Sequence, residues 1–481
     1  MYHLHGQIGV LSKPTGRTRS FFSCIFRISC LILFPVIIKA QTKVNYDVFN
    51  KSPLGGIKIE NSIIANLETI TNTNYLIQSF SNPNNNRVFT AYDQDRAAAN
   101  LEYRQAQINA DVQRDLNNFG KGETADMDWV LKTQSYRIAF EKLLRMNPNN
   151  FSITKALFIV ESAYDEKSKL TYEQFMQSIY KGATIVKQLL KREGLSGNDN
   201  LTLNYGIQKL FKQTNSYYNS RTKQTYSVAP IKYDFEDYRG EKDYSKMFVT
   251  KLVKTGSGQC HSMPLLYLAL AEALNAKAWL SLAPQHSFIQ FMDNQNNLMN
   301  FETTNGNVVS STWLTQSGYV NAMALNNKTY LDTLSQKNLY GQMMSDLLLG
   351  YMNKYGYDKF AEQMRQQILA INPNNLTAKV IDANIKTQIA MKKIQALGKP
   401  KEEDLPKYPD AYKAYQAMQA SYTAVENTGF QDMPKEAYQK WLKSMEKEKK
   451  SQKNKELQEK MRKEIEALKK IKITFQNNYR N

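Results

Sequence analysis

"GSGQCHSMPLLYLALAEAL", Gly256 to Leu274, reads as two glycines, a cysteine and then a helix that is apolar on most sides. From Cys260 to Leu274 the only charged side chain is Glu272. Leu266, Leu270, Ala273 and Leu274 make one apolar stripe, and Leu265, Leu268 and Ala269 make another. Such a helix belongs inside a core, not on its surface. Gly256 and Gly258 break the chain just before it, and Pro264 sits where a first-turn proline is tolerated. Cys260 thus falls at a helix N-terminus, where unpaired N–H groups and the positive end of the dipole favour an anion. A thiol there can have its pKa drawn from about 8.5 into the range of about 3.5–7.5. The same N–H groups suit a developing oxyanion.

A thiolate nucleophile needs a base. The chain holds three cysteines and four histidines. Cys24, Cys30, His3 and His5 all lie in the first 40 residues. The remainder keeps one thiol, which has no internal disulfide partner, and two imidazoles. His261 is next to Cys260 and points elsewhere, because consecutive helix residues diverge by about 100°. His286 opens the strand-like "HSFIQFM" and is the natural base. Turn residues "DNQNN" separate that segment from "LMNFETT", so 286–292 and 298–303 read as an antiparallel hairpin. A turn centred on Asn294 pairs His286 directly with Glu302, and a slip of one residue would send Glu302 to the other face. A carboxylate there holds the imidazole and stabilises its charged form.

With these residues in place, "GQC" opening a buried helix, "PQHSFIQF" and then "NFETT" together resemble the transglutaminase-like superfamily, a circularly permuted relative of papain-like enzymes. The resemblance covers about a fifth of the chain, residues 231–330. It implies a cysteine-protease-type core with Cys260 as nucleophile, His286 as general base and Glu302 as third member, and it needs no cofactor. Asp is the usual third member, so Glu302→Asp is expected to be the best-tolerated change. The oxyanion-assisting side chain upstream has no assignable counterpart. Gln259 is adjacent, but its side chain is expected to point away. Two other readings of the same residues stay open. One is a buried structural cysteine. The other is a metal site from Cys260, His261, His286 and Glu302, which no second cysteine or His-x-x-x-His spacing supports. Trp279 and Trp313 read as core.

The rest of the chain frames this segment. At 481 residues and 42% apolar it is long enough for several domains and is not disordered by composition. Residues 1–40 read as an export signal. Lys13, Arg17 and Arg19 precede an apolar stretch broken by Arg27, and the unbroken 28–38 is too short to span a bilayer. Cleavage near residue 40 would leave a periplasmic or extracellular protein. An uncleaved anchor is the other reading, and the membrane enters only through this segment. Residues 41–125 are an extension, helical in part, and 126–230 a helical arm. Residues 331–395 read as a degenerate tetratricopeptide-like repeat, with "NPNN" after "FAEQMRQQILAI" repeating the "NPNN" after "SYRIAFEKLLRM". The stretch 396–481 is a Pro- and charge-rich linker followed by a basic helical tail, read as a long solvated helix or a short coiled coil.

Net charge is +19, of which +5 lies in the first 40 residues and much of the rest in the tail. No zinc finger, RNA-binding signature or phosphate loop accompanies it, so nucleic acid is not expected as a partner. The fold expected is α+β, a small antiparallel sheet embedded between mainly α-helical arms. The function expected is thiol-dependent acyl transfer or amide hydrolysis on a peptide or protein substrate through a Cys260 thioester. The alternative is a non-catalytic interaction protein that binds a protein partner through its helical repeat and keeps the core as a scaffold.

Overall fold

The computed structural model describes residues 124–478, apart from 196–197, 239, 316–317, 432, 434 and 449–451. The expected export signal and nearly all of the extension 41–125 lie outside the described residues. Five helices come first: α1 (Thr124–Lys132), α2 (Gln134–Leu144), α3 (Ile153–Tyr164), α4 (Tyr172–Arg192) and α5 (Asn200–Lys212). Their ends are chemically marked. Ser152 caps α3 by accepting from the N–H of Lys155, and Thr171 with Gln174 closes a capping box on α4. In α2 the buried residues are Tyr136, Ala139, Phe140 and Leu143, while Leu144, expected on the same face, stays half-buried.

A β-rich stretch follows. The hairpin β1 (Asn215–Asn219) and β2 (Gln224–Val228) precedes β3 (Lys232–Tyr233) and α6 (Val249–Thr255). Strand β3 pairs in parallel with β4 (Ser257–Gly258), and α7 (Ser262–Leu274) follows. Then β5 (Trp279–Ala283), β6 (His286–Met292), β7 (Leu298–Glu302) and β8 (Asn307–Val309) form one antiparallel sheet in chain order. The runs "AKAWLSLA" (276–283), "HSFIQFM" and "LMNFETT", strand-like in the sequence, are β5, β6 and β7. β8 is three residues long and too short to carry a periodic signal. After α8 (Ser311–Thr315) and α9 (Ala322–Asn326) the chain is helical again: α10 (Gln336–Tyr355), α11 (Lys359–Ile371), α12 (Leu376–Ala396), α13 (Pro409–Glu426), α14 (Lys435–Glu448) and α15 (Gln452–Asn478). The fold is thus α+β, mainly helical, with small antiparallel sheets. No helix among the described residues is long and apolar enough to cross a membrane.

Helix α7 is the centre. Of its residues only Glu272 and Ala273 escape burial. Helices α3, α4, α5 and α6 and strands β5 and β6 all pack on it. Carboxylates fasten these layers. Glu272 of α7 accepts from the N–H groups of Ile153 and Thr154, both at 2.9 Å, and so caps α3. Glu161 of α3 accepts from Val249 and Thr250 at 2.8 and 2.7 Å and so caps α6. The helices before and after the sheet also meet. The Tyr340 hydroxyl of α10 donates to the Leu143 carbonyl at 2.7 Å, and the Trp129 indole donates to Asp358 at 2.9 Å.

The tail is not solvated, contrary to the expectation from its charge. Tyr438, Trp441, Leu442, Met461 and Ile465 are buried in the main core. Their spacing puts an apolar stripe on one side of each helix, while Lys440, Lys443, Lys455, Lys463 and Glu466 are exposed.

Because α7 is covered by helices from outside 231–330, that segment excised alone should lack a cooperative thermal transition. Calorimetry comparing it with residues 124–481 checks this. A matching transition would show that the helices are dispensable.

Candidate functional site

Cys260 lies one residue before the cap of α7, in the break that follows β4. The tight approach there demands glycine at 258. A Cβ on Gly258 would sit 2.3 Å from Leu252 Cδ1 and 2.7 Å from Ser262 Oγ. Gly258→Ala should therefore cost about 1–3 kcal/mol by overpacking. A denaturant titration showing no change would refute that. Ser287 Oγ donates to the Cys260 carbonyl at 2.5 Å, tying the break to β6. Strands β5 and β6 are joined by the two residues Pro284 and Gln285, and Gln285 takes a φ of +55°. Proline holds a negative φ, so the left-handed position of the turn falls on Gln285. That turn places the Gln285 carbonyl 3.9 Å from the Cys260 sulfur and aims His286 at it.

His286 and Glu302 meet as expected, but by a different register. Strand β6 pairs with β7 as Met292 with Leu298 through Ile289 with Phe301. The turn is therefore centred on Gln295, not Asn294. Asp293 explains the longer loop, since its carboxylate accepts from the N–H groups of Gln295 and Asn297 and from the Asn297 side chain. Continuing the pairing sets Glu302 across from Phe288, two residues on from His286. A displacement of two preserves the face, whereas a displacement of one would not. Glu302 reaches His286 diagonally, and its Oε2 lies 2.6 Å from His286 Nε2. Its other oxygen, Oε1, accepts from the Thr304 N–H at 2.8 Å.

All three side chains are buried: Cys260 is 5% exposed, His286 1% and Glu302 0%. Burial alone would lower the imidazole pKa. The Glu302 charge and the hydrogen bonds to Cys260 and Glu302 outweigh it and push His286 up to about 10. Burial alone would raise the Cys260 thiol. The hydrogen bond and charge of His286, with a smaller part from Tyr438 and His261, bring it below its ordinary value instead. Both shifts act in the same sense, favouring the proton on the imidazole over the sulfur. His261 turns away, as expected, to Asp346 of α10 at 3.3 Å. Gln259 also faces away, donating through Nε2 to the Asp237 carbonyl at 2.8 Å. Among the described residues no group of three His, Cys, Asp or Glu is placed to hold a metal ion.

The tail supplies the residues that sequence reasoning missed. The Tyr438 hydroxyl of α14 donates to the Cys260 sulfur at 3.5 Å and lies 3.4 Å from His286 Nδ1. Burial and then the charge of Cys260 hold Tyr438 as a neutral phenol. Trp441, one turn on, presents its ring edge-on to His286 with centroids 4.9 Å apart. It stacks on Trp313 at 5.0 Å and 18°. Trp313 is core, as the sequence implied, but it is the floor under a tail residue. The i, i+3, i+4 spacing of Tyr438, Trp441 and Leu442 signals a buried helix face but not what that face covers. Compared with known proteins, the chain matches no family model, and no curated protein and no solved structure matches it.

Proposed function

We propose that this protein is a thiol-dependent acyl-transfer enzyme with a transglutaminase-like core, acting on amide bonds of a peptide or protein. The observation that carries the reading is the buried Glu302–His286 contact of 2.6 Å, with the Cys260 sulfur and the same imidazole both within 3.5 Å of the Tyr438 hydroxyl. In the reaction the Cys260 sulfur attacks the amide carbonyl carbon. The carbon–nitrogen bond then breaks, and His286 delivers its proton to the departing amine. The thioester left on Cys260 is opened by water, giving an acid, or by a second amine, giving a new amide. In either case His286 takes the proton of the incoming nucleophile and the thiol is regenerated. Glu302 holds the imidazole and supports its charge through both steps. The start of α7 supplies backbone N–H groups on the thiol's side for the oxyanion. Export rests on residues 1–40, and a protein-binding role on the helical hairpin of α11 and α12.

The test is to incubate the protein with a glutamine-containing peptide and a labelled primary amine. Mass spectrometry should find acyl adduct on Cys260, together with released ammonia or transferred amine. Cys260→Ala should give neither. If neither the wild type nor a Tyr438→Ala/Trp441→Ala variant gives adduct or product, the scaffold reading takes its place.

A further inference from the structure

We propose that the tail helix α14 (Lys435–Glu448) is an autoinhibitory latch, and that it must lift off Cys260 and His286 before a substrate can bind. The proposal rests on the acyl-transfer reading of the site and adds its regulation. The geometry carries it. A carbonyl carbon has to come within about 3–3.5 Å of the sulfur to be attacked. Tyr438 Oη already stands 3.5 Å from that sulfur and 3.4 Å from the imidazole nitrogen beside it. Tyr438 and the substrate therefore compete for one space. Trp441 closes the adjoining side by covering His286 and lying flat on Trp313.

The segment is held in a way that suits a latch. Its base is pinned. Asn321 Nδ2 donates to the Gly429 carbonyl at 3.0 Å, Thr329 Oγ1 to Thr428 at 2.7 Å and Asn327 Nδ2 to Asn427 at 2.6 Å. Gly429 has a φ of +79°, and a Cβ there would lie 2.2 Å from the Ala324 nitrogen, so the chain turns at a fixed point. Its far side is pinned as well, by Gln458 on Asn307 at 3.3 Å and Lys460 on Asp293 at 3.5 Å. Between these anchors the contacts converge on the candidate site. Gln285 Nε2, from the turn before His286, donates to the Met433 carbonyl. Tyr438, Trp441 and Leu442 are the buried side chains of α14 among those described. The fit is imperfect, because Trp441 Nε1 is buried with no acceptor. A buried unpaired donor penalises the closed state and not the open one. The tail thus covers a reactive pair completely while satisfying its own polar atoms incompletely.

The experiment follows iodoacetamide labelling of Cys260 in full-length protein. The Tyr438→Ala/Trp441→Ala variant should label about ten-fold or more faster than wild type, since the rate scales with the accessible fraction. A synthetic peptide of residues 433–448, added in trans, should slow that labelling again, and the same peptide with alanine at its Tyr and Trp should not. Equal rates in wild type and in a folded double variant would overturn the latch. Should the double variant not fold, hydrogen exchange on the wild type decides. Amides of 435–448 are expected to exchange through an opening that leaves 262–274 protected. Exchange of both segments only on global unfolding would overturn the proposal. The two readings fail separately. Fast labelling with a midpoint near 8.5, that of a free thiol, removes acyl transfer and keeps the latch. Unchanged rates remove the latch and leave the low-midpoint thiolate to be measured.

Discussion

Replacing His286 with alanine should lower the reactivity of Cys260 at neutral pH by about a hundred-fold. The wild-type thiol is held below its ordinary value chiefly because an imidazolium lies against it, in opposition to burial. Without that charge, burial acts alone and the pKa moves above about 8.5, leaving on the order of 1% thiolate at pH 7. The pH profile of alkylation reads this directly, because the thiolate is the species that reacts. In wild type the curve should reach to lower pH than that of an ordinary thiol, and its acid limb marks protonation of the pair. The sign for stability follows from the same shifts. His286 is raised above its unfolded value, so its contribution is full below about 6.5 and is lost as pH rises through about 10. Cys260 is lowered, so its contribution is lost as pH falls through the folded value. The two contributions overlap only between those limits. Because His286→Ala also strands a buried carboxylate, His286→Asn is the companion variant; it keeps a donor for Glu302 without a titratable ring. Identical alkylation curves in all three proteins would mean an inert thiol.

Much of this site was legible because local rules agreed. A helix apolar on most sides has nowhere to go but the core, and glycines with a first-turn proline mark where it starts. That placed Cys260 at the mouth of α7. Strand alternation placed β5, β6 and β7, and face parity brought His286 to Glu302 even though the turn was assigned one residue early. The register error has a specific source. "DNQNN" offers several turn residues, and only the folded chain shows Asp293 collecting the N–H groups that select the longer loop. The tail was misread for a different reason. Its charge density from Lys435 to Lys472 dominates any average, whereas its packing depends on a few residues at helical spacing. Tyr438 and Trp441 make contacts 178 and 155 positions away in sequence, to Cys260 and His286. No local pattern reports such a partner. The same holds for the helices flanking the sheet. The helical arm 126–230 and the repeat 331–395 were legible as separate stretches, but nothing in them said that Tyr340 would reach back to Leu143.

Shortening Glu302 to aspartate should damage the site at least as much as neutralising it with glutamine. The family resemblance led to the opposite expectation, because aspartate is its usual third member. The register accounts for the change. A residue directly opposite on a neighbouring strand is about 4.5–5.5 Å away between Cβ atoms, while a diagonal neighbour is at about 7–8 Å. Glu302 stands diagonal to His286, and its extra methylene spans the added distance to a 2.6 Å contact. Aspartate gives back about 1.5 Å, which takes the oxygen out of hydrogen-bond range of Nε2. It also draws the other oxygen away from the Thr304 N–H, which Oε1 now accepts at 2.8 Å. A buried carboxylate would then lack both partners, at a cost of about 3–5 kcal/mol in stability. Glutamine keeps the length and one acceptor oxygen but removes the charge that raises the imidazole, so the His286 pKa should fall and the Cys260 pKa rise with it. The two variants therefore separate in kind: Glu302→Gln moves the acid limb of the alkylation profile upward with a modest loss of stability, and Glu302→Asp moves it as far or farther and lowers the unfolding midpoint as well. A Glu302→Asp protein with the wild-type profile and midpoint, alongside a shifted Glu302→Gln, would mean that the strands can slide to set residue 302 directly opposite His286 and that the diagonal reach is not required.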